Sequence, residues 1–245
     1  MIVNTNYKAI SDRRLPPPCP LDISDWHHVL TFIPHADDEA IGCGGLLAML
    51  SDRGVNAHVV LVSDSSGAGG LPEGTSLRRQ NEFIESLNVL HPTSLYECWQ
   101  LPDGQLHQHE EALTAKITHL LTTTDAETLI CPWPMDMHPD HSAVGYAVIN
   151  GLKQHPGRIQ HIFFYEVWSP LPASHILDIS DSWQRKEQAL NCHQTALACG
   201  NYLRAMAGLA AYRALLLPTM AQDGHFAEAY CMMTIEDIKQ MQETG

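Results

Sequence analysis

The sequence has few charged residues and no cluster of basic ones. Asp, Glu, Lys and Arg make up 17% of the 245 residues, against about 25% in typical soluble domains. Acidic residues outnumber basic ones by 28 to 14, and the longest basic runs are the pairs Arg13-Arg14 and Arg78-Arg79. Nucleic acids and acidic membrane surfaces are bound by basic patches. We therefore expect no nucleic-acid partner and no affinity for acidic membranes.

Paired cysteines and long apolar runs are missing as well. The seven cysteines form an odd set with no C-x-x-C pair, which excludes a disulfide framework and a zinc ribbon and favours buried thiols in a reducing compartment. No segment has the ~20 apolar residues of a membrane span. Residues 1–20 lack the apolar core of a secretory signal. We expect a cytoplasmic protein without a membrane span.

What the sequence does contain is a regular alternation of short apolar runs and helical patterns. Residues 1–28 are polar and proline-rich, so we expect an N-terminal extension followed by a single domain over residues 29–245. The apolar runs predict strands at Val29–Ile33, His58–Ser63, Ser94–Trp99, Thr128–Pro132 and His161–Val167. Helical spacing predicts helices at Ala40–Leu50, Leu77–Leu90, Glu110–Thr122, Ser142–Leu152 and Trp183–Cys199, followed by an irregular, Ala-rich tail. The alternation predicts a Rossmann-like α/β fold, a doubly wound, mostly parallel sheet with helices on both faces.

Histidine and carboxylate residues follow two of the predicted strands. One loop reads PHADDE from Pro34, and the other reads PMDMHPDH from Pro134. Ligands of doubly wound sheets bind beyond the carboxyl ends of the strands, so we expect both loops at one edge. There, His35, Asp38 and His141 would supply the two imidazoles and one carboxylate of a catalytic zinc site. Asp37, next to a ligand, could accept a proton from the attacking water.

Each cluster also has a simpler interpretation. Asp and Glu are favoured before a helix by its dipole, and His-Pro-Asp-His could form an ordinary polar turn. The glycines of Gly42–Gly45 do not follow the G-x-G-x-x-G order, so close packing of helix on sheet explains them better than a dinucleotide. Two other functions stay open. One is a nucleotide-binding Rossmann-like module, and the other is a zinc-binding protein of this fold with a non-catalytic sensing or binding role.

Together the motifs resemble those of the LmbE-like (PIG-L) N-acetylglucosaminyl deacetylases. The likeness rests on PHADDEAIGCGG from Pro34 and on HPDH about a hundred residues later. It extends to VVLVSDSSGAGG, to Arg79-x-x-Glu82, to the Pro-Asp-Gly turn at Asp103, and more loosely to segments around residues 186–194 and 227–230. Ala36 replaces the proline that is commoner in the first motif.

This resemblance implies a zinc-dependent amidohydrolase that removes an N-acyl group, most often N-acetyl, from a small-molecule amino sugar or its conjugate. It implies one Zn²⁺ per chain, with His35, Asp38 and His141 as its ligands. Asp37 matches the general base of the family. Which substrate is used, and whether the chain forms a homo-oligomer, stay open.

Four further positions take roles from the same resemblance. His138 matches the residue that stabilises the oxyanion and protonates the leaving amine. Asp140 matches the carboxylate that orients this histidine, and a neighbouring carboxylate would raise its pKa and keep it cationic. Arg79 and Asp103 match positions that hold sugar hydroxyls.

Overall fold

A computed structural model describes residues 16–67, 71–218 and 225–241. Eight strands form one sheet in the order β1-β7-β8-β6-β5-β2-β3-β4. The strands are β1 (Cys19–Pro20), β2 (His28–Ile33), β3 (Asn56–Ser63), β4 (Leu95–Leu101), β5 (Thr128–Pro132), β6 (His161–Tyr165), β7 (His175–Asp178) and β8 (Ala227–Thr234). The α-helices are α1 (Asp38–Asp52), α2 (Thr75–Leu90), α3 (Glu110–Thr123), α4 (Pro139–Gln154), α5 (Trp183–Cys192), α6 (Gln194–Leu197), α7 (Tyr202–Ala214) and α8 (Ile235–Gln240).

The order of the strands determines where a ligand can bind. Strand β2 lies parallel between β3 and β5. From β2 the chain first extends the sheet to one side through β3 and β4, and then to the other through β5 and β6. The connections therefore reverse direction between β2 and β5, and doubly wound sheets form their ligand crevice at such a reversal. The loops that follow these two strands are the two His/Asp loops.

Both faces of the sheet are covered by apolar layers. Along β2, Leu30 and Phe32 pack into the layer that contains α3 and α4. Val29 and Ile33, which point to the opposite face, pack into the layer that contains α1 and α2. A strand buried on both faces reads as a continuous apolar run rather than an alternating one, which is how β2, β3 and β5 read in the sequence.

The predicted mostly parallel, doubly wound fold with helices on both faces is confirmed. The structure differs at three places. Strands β7 and β8 were not expected, and β8 runs antiparallel between β6 and β7. The helix expected over Trp183–Cys199 ends at Cys192, and the part of the tail expected to be irregular contains α7. In the N-terminal extension, Cys19 and Pro20 pair with β7, while residues 1–15 lie outside the described ranges.

Helix α1 is interrupted at Cys43, its sixth residue. Cys43 has non-helical angles (φ −143°, ψ 22°), which breaks the regular helical hydrogen bonding. The buried carboxylate of Glu228 accepts the freed N–H groups of Gly45 and Leu46 at 2.7 and 2.9 Å. Lys186 donates to the carbonyl oxygen of Ile41 at 2.9 Å and to Glu228 at 2.6 Å. This buried ion pair therefore satisfies the backbone groups that the interruption exposes.

Glycine allows α1 to approach the sheet closely. A β-carbon at Gly42 would overlap the ring of Tyr165, and one at Gly45 would lie 2.6 Å from Cγ2 of Ile179. The packing role expected for these glycines is confirmed.

Within the described ranges, no helix is long and apolar enough to cross a membrane.

Candidate metal centre

The two His/Asp loops meet at the carboxyl ends of β2 and β5. His35 follows β2, and Asp38 is the first residue of α1. His138 precedes α4 as its N-cap, and His141 lies in the first turn of that helix. The side chains of His35, Asp38 and His141 are almost completely buried.

Three donor atoms from these side chains form a nearly equilateral triangle. Nδ1 of His35 lies 3.2 Å from Oδ2 of Asp38 and 3.2 Å from Nε2 of His141. The third side, between Nε2 of His141 and Oδ2 of Asp38, measures 3.1 Å. Zinc–ligand bonds of about 2.0–2.2 Å at tetrahedral angles separate neighbouring ligand atoms by about 3.4 Å. The donor set and its spacing therefore fit a zinc ion with a fourth position left for water or substrate.

Carboxylates behind the histidines fix the orientation of the rings. Nε2 of His35 lies 3.1 Å from Oδ1 of Asp103 and 3.1 Å from Oδ2 of Asp140. A proton on Nε2 leaves the lone pair of Nδ1 free for a metal, which is how such carboxylates select the tautomer of a ligand. On the other ligand, Nδ1 of His141 lies 3.5 Å from Oδ1 of Asp136.

These contacts give Asp140 and Asp103 a role that the sequence did not predict. The carboxylate of Asp140 binds His35 and the N–H groups of Gly104 and Leu106, and its effect on the orientation of His138 stays a prediction. Both oxygens of Asp103 are engaged, one by His35 and the other by the N–H of Gly67 at 2.6 Å. Asp103 therefore supports a candidate ligand, and its binding of a sugar hydroxyl stays a prediction.

His138 lies against both candidate ligands without joining the triangle. Its ring centroid is 4.7 Å from that of His35 and 4.7 Å from that of His141. Its Nδ1 accepts the N–H of Asp140 at 3.3 Å, so the ring proton of the neutral form is on Nε2. Burial and the charges of His35 and His141 lower the pKa of His138 below its usual value. This direction is opposite to that of the expected cationic His138, whose charge stays a prediction.

Asp37 has a backbone conformation that is unusual for any residue except glycine. Its φ of 134° and ψ of −26° lie in a region where a β-carbon costs about 1–3 kcal/mol. The side chain is held by Arg79, whose Nη2 donates to Oδ2 of Asp37 at 3.1 Å and to the carbonyl oxygen of Ala36 at 2.7 Å. Arg79 is thus part of the site, and its binding of a sugar hydroxyl stays a prediction.

Burial and neighbouring charges shift the pKa values of the two adjacent aspartates in opposite directions. For Asp37, burial raises the pKa to about 6 against the opposing effect of Arg79. For Asp38, burial also acts to raise the pKa, but the charge of His141 and hydrogen bonds to both histidines outweigh it. The pKa of Asp38 is therefore held well below its usual range. The carboxylate of Asp38 is thus suited to bind a cation, and that of Asp37 is suited to accept a proton.

Sequence reasoning missed three residues at this site. Glu39 accepts the N–H of Asp37 at 3.1 Å and lies 2.5 Å from Nε2 of His193. Asp136 joins two loops, because it accepts the N–H of His138 at 2.8 Å and those of Trp168 and Ser169 at 3.0 Å. The sequence feature that could have pointed to Asp136 is its position between two methionines.

Comparison with proteins of known sequence agrees with this arrangement. The model of a family described as GlcNAc-PI de-N-acetylase (PIG-L) matches residues 30–152, which include both loops. The diacetylchitobiose deacetylase of Thermococcus kodakarensis is 28% identical over 197 residues, 70% of this chain and 71% of that protein. A probable N-acetyl-α-D-glucosaminyl L-malate deacetylase 2 of Bacillus cereus is 28% identical over 139 residues, 53% of this chain and 62% of that protein.

Solved structures share the fold at lower identity. The N,N'-diacetylchitobiose deacetylase of Pyrococcus horikoshii superposes with a TM-score of 0.74 at 21% identity, covering 100% of this chain and 97% of that one. GalB, the 4-carboxy-2-hydroxymuconate hydratase of Pseudomonas putida KT2440, gives 0.70 at 17% identity, covering 84% and 96%. The fold thus also serves a reaction that is not a deacetylation. The family match spans half of the chain and both of its His/Asp loops, and the chain belongs to the PIG-L (LmbE-like) family.

Proposed function

We propose that this protein is a metal-dependent amidohydrolase that removes an N-acyl group, most often N-acetyl, from an amino sugar or its conjugate. The observation that carries the proposal is the triangle of donor atoms from His35, Asp38 and His141, with the buried carboxylate of Asp37 next in the chain. Membership of the PIG-L family and two relatives named as deacetylases support it.

Zinc is the metal that we propose for the triangle, one ion per chain. Two imidazole nitrogens and one carboxylate oxygen are ligands of catalytic zinc sites, and three protein ligands leave one position open. A zinc ion held there would lower the pKa of water to about 7 and polarise an acyl oxygen. The carboxylates of Asp103 and Asp140 hold His35 in the tautomer that can bind the ion.

Asp37 is proposed as the general base. Hydrolysis of an amide forms a bond between a water oxygen and the acyl carbon and breaks the bond from that carbon to nitrogen. One proton leaves the water, and one proton must reach the departing nitrogen. Asp37 is buried and is held by Arg79 beside the triangle. Its carboxylate can accept the first proton and return it to the amine, so that atoms and charge balance.

His138 is proposed as a neutral hydrogen-bond donor. Because its Nδ1 accepts the N–H of Asp140, its Nε2–H is the group that is free to donate. A preorganised donor stabilises the negative charge that develops on an acyl oxygen during attack, and removing one such donor costs about 10²–10³ in kcat. This role requires no positive charge on the ring, in agreement with the direction of its pKa.

Side chains near the triangle support a substrate with an apolar face, such as a sugar ring. Met137, next to His138, is 75% exposed, and Trp168 is 49% exposed. The ring of Trp168 packs edge-to-face against that of Tyr202, at 6.1 Å, and burial, followed by the charge of Asp37, raises the pKa of Tyr202. Asp136 ties the loop of Trp168 to that of His138. Binding sites commonly combine such aromatic surfaces with a few placed polar groups.

The cysteines support a reducing compartment for this reaction. All seven are unpaired thiols, three of them half-buried and two fully buried. We propose that the protein works in the cytoplasm, where thiols stay reduced.

The decisive experiment measures metal content and acetate release together. The zinc-loaded protein is incubated with N-acetylglucosamine, N,N'-diacetylchitobiose, aryl N-acetylglucosaminides and N-acetylglucosaminyl malate, and acetate and new primary amines are quantified. We expect one zinc per chain and equal amounts of acetate and amine from at least one substrate. Asp37→Asn is the matched control, and it should keep its zinc and lose kcat by roughly 10²-fold or more.

Two results would contradict different parts of the proposal, the first the activity and the second the role of Asp37. Zinc binding without release of acetate from any member of the panel would favour the non-catalytic sensing or binding role. Asp37→Asn with an unchanged kcat on a verified substrate would leave the deacetylase intact and remove Asp37 from its mechanism.

A further inference from the structure

The conformation of Asp37 must be maintained by its surroundings. At φ 134° this residue occupies backbone space that side chains rarely adopt, and such a conformation persists only where neighbouring groups enforce it. Its carbonyl oxygen accepts the N–H groups of Ala40 and Ile41 at 3.0 and 2.9 Å, as expected for a residue that begins a helix. These bonds are common to N-caps of any conformation, and they do not explain a positive φ.

The N–H group of Asp37 has an uncommon partner. It donates to Oε2 of Glu39, only two residues further along the chain, at 3.1 Å. Glu39 is completely buried, so this contact places a carboxyl group in the interior at the first turn of α1. A buried carboxylate is costly unless it is paired. The contact with Asp37 therefore depends on a partner for Oε1, the second oxygen of Glu39.

His193 supplies that pairing from a distant part of the chain. Its Nε2 lies 2.5 Å from Oε1 of Glu39, and the two residues are 154 positions apart. His193 is 1% exposed. It occupies the break between α5 and α6 with φ −83° and ψ 63°, and its N–H and carbonyl groups bond to Leu190 and Leu197. Two helices thus fix the imidazole, and the imidazole fixes Glu39.

Arg79 acts on the same aspartate from the opposite side. It binds Oδ2 of Asp37 and the carbonyl oxygen that precedes Asp37 in the chain. Arg79 thus holds the carboxylate of Asp37 and the carbonyl end of the peptide between Ala36 and Asp37. Glu39 holds the N–H end of the same peptide, so the two residues fix its orientation from opposite ends.

We propose that Glu39 and His193 are positioning residues that hold the peptide of Asp37 in its positive-φ conformation and so keep its carboxylate directed at the reaction centre. This inference rests on the proposed role of Asp37 as general base. It assigns His193 an effect on turnover that is transmitted through Glu39 and the backbone, without contact to substrate or metal. Neither the binding of zinc nor the binding of substrate should depend on His193.

The first test is structural and needs no substrate. Crystal structures of the zinc-loaded wild type and of His193→Ala give the backbone angles of Asp37 directly. We expect φ near 134° in the wild type and a negative φ, with a displaced carboxylate, in the variant. An unchanged φ in His193→Ala would overturn the proposal, whatever the protein hydrolyses. If this variant does not fold, Glu39→Ala, which removes the acceptor of the Asp37 N–H group, provides the same comparison, and an unchanged φ there would likewise overturn the proposal.

His91 offers a closely matched control. Like His193 it is 1% exposed, follows a helix, and has one bonded Nε2 and a buried Nδ1 without a partner among the described residues. It lies twelve residues beyond Arg79 along α2, about 18 Å away at 1.5 Å per residue. His91→Ala should lower thermal stability as His193→Ala does and leave kcat at the wild-type value.

Kinetics then separate positioning from general loss of structure. On a substrate found with the panel above, His193→Ala should lower kcat at least tenfold with KM and zinc content unchanged. His193→Gln, which keeps an N–H donor, should recover part of that loss. In the Asp37→Asn background, His193→Ala should cause no further decrease, because the group that it positions is already inactive. An equal fold-decrease in both backgrounds, or a wild-type kcat in folded His193→Ala, would overturn the proposal. If the wild type releases no acetate, the proposed function fails, while the structural test still decides the role of His193.

Discussion

Asp37 is the residue at which local conformation and chemistry oppose each other. A residue with φ 134° would be more stable as glycine, and a proton acceptor must have a side chain. The strain of about 1–3 kcal/mol is therefore retained by the fold. Stored strain of this kind is expected at functional sites rather than in the core, where packing alone determines the residue type.

Comparing two substitutions of Asp37 measures this strain. Both Asp37→Ala and Asp37→Gly remove the carboxylate and its bond to Arg79, so they differ only in the β-carbon. In ordinary helix positions glycine is the less stable choice by about 0.5–1 kcal/mol. Here we expect Asp37→Gly to be the more stable variant in urea unfolding, because a strain of about 1–3 kcal/mol outweighs that cost. The usual order, with alanine more stable, would contradict a strained backbone at this position.

His91 allows a pH prediction away from the metal loops. Burial lowers its pKa below the usual 6.5, while the unfolded chain takes up the proton near pH 6.5. Its contribution to stability is therefore complete above pH 6.5 and decreases as the pH falls below that value, because the unfolded state binds the proton more tightly.

Glutamine at this position removes the titration and keeps a donor for the carbonyl oxygen of Val55, which Nε2 of His91 reaches at 2.9 Å. Between pH 7.5 and pH 5.5, His91→Gln should lose less unfolding free energy than the wild type does. The measurement is urea unfolding at both pH values, with exposed His107→Gln as the control that should follow the wild type. An equal loss in His91→Gln and wild type would show that His91 is not the responsible group.

At the level of single residues, the sequence predicted which side chains meet but not how they are oriented. The clustering of His35, Asp38 and His141 follows from two loops at the ends of neighbouring parallel strands. The direction of the carboxylate of Asp140 does not. In His-Pro-Asp-His the aspartate is close to both flanking histidines in the chain, yet it contacts His35, 105 positions away. Contacts of this kind depend on ring rotamers that no local pattern determines.

Among the elements, those with a strong local pattern were predicted closely. Strand β5 has the predicted bounds, and α1 and α2 differ by two residues at most at each end. The break at His193 was missed because the sequence around it continues a helical pattern. A buried partner on a different helix, Glu39, holds that residue out of helical conformation. Strand β8 lies in the C-terminal tail and pairs antiparallel with β6. It was missed because the alternation of strands and helices predicts parallel pairs.

Glycine substitutions test the fit of α1 against the sheet. Gly42→Ala would place a β-carbon inside the ring of Tyr165, and that ring is fixed by a bond from its hydroxyl to the carbonyl oxygen of Phe32 at 3.0 Å. We expect a loss of about 1–3 kcal/mol in unfolding free energy. Gly208→Ala is the matched control, since the same change in α7 meets open space and should stabilise by about 0.5–1 kcal/mol. Two stabilising outcomes would mean that α1 can move away from the sheet.

For the molecule as a whole, the reversal in strand order explains why residues so far apart in the chain form one site. Strands β2 and β5 are neighbours, although about a hundred residues separate them, and the loops at their carboxyl ends face each other. The alternation of strands and helices predicted that both loops lie at one edge of the sheet, and the structure adds that their strands are neighbours. The position of β7 and β8 at the far side of β6 could not be deduced in this way, since antiparallel strands carry no crossover rule.

Metal should stabilise the whole chain through this site. Without a cation, carboxylates and imidazoles that are almost completely buried must neutralise one another. Burial lowers the pKa of His35, but the hydrogen bonds that Asp103, Asp140 and Asp38 accept from it outweigh burial and raise that pKa. A zinc ion that binds only the folded chain stabilises it by about 2.7 kcal/mol at a free concentration of 100 Kd. For a domain of this length, that corresponds to a rise in Tm of roughly 5–10 °C. Thermal unfolding with and without a chelator measures this rise in Tm.

Two histidine variants provide the controls. His141→Ala, which removes one corner of the triangle, should remain folded, bind no zinc and show the same Tm in both conditions. Exposed His107→Ala should behave as the wild type. A zinc-dependent rise of equal size in His141→Ala would place the ion elsewhere.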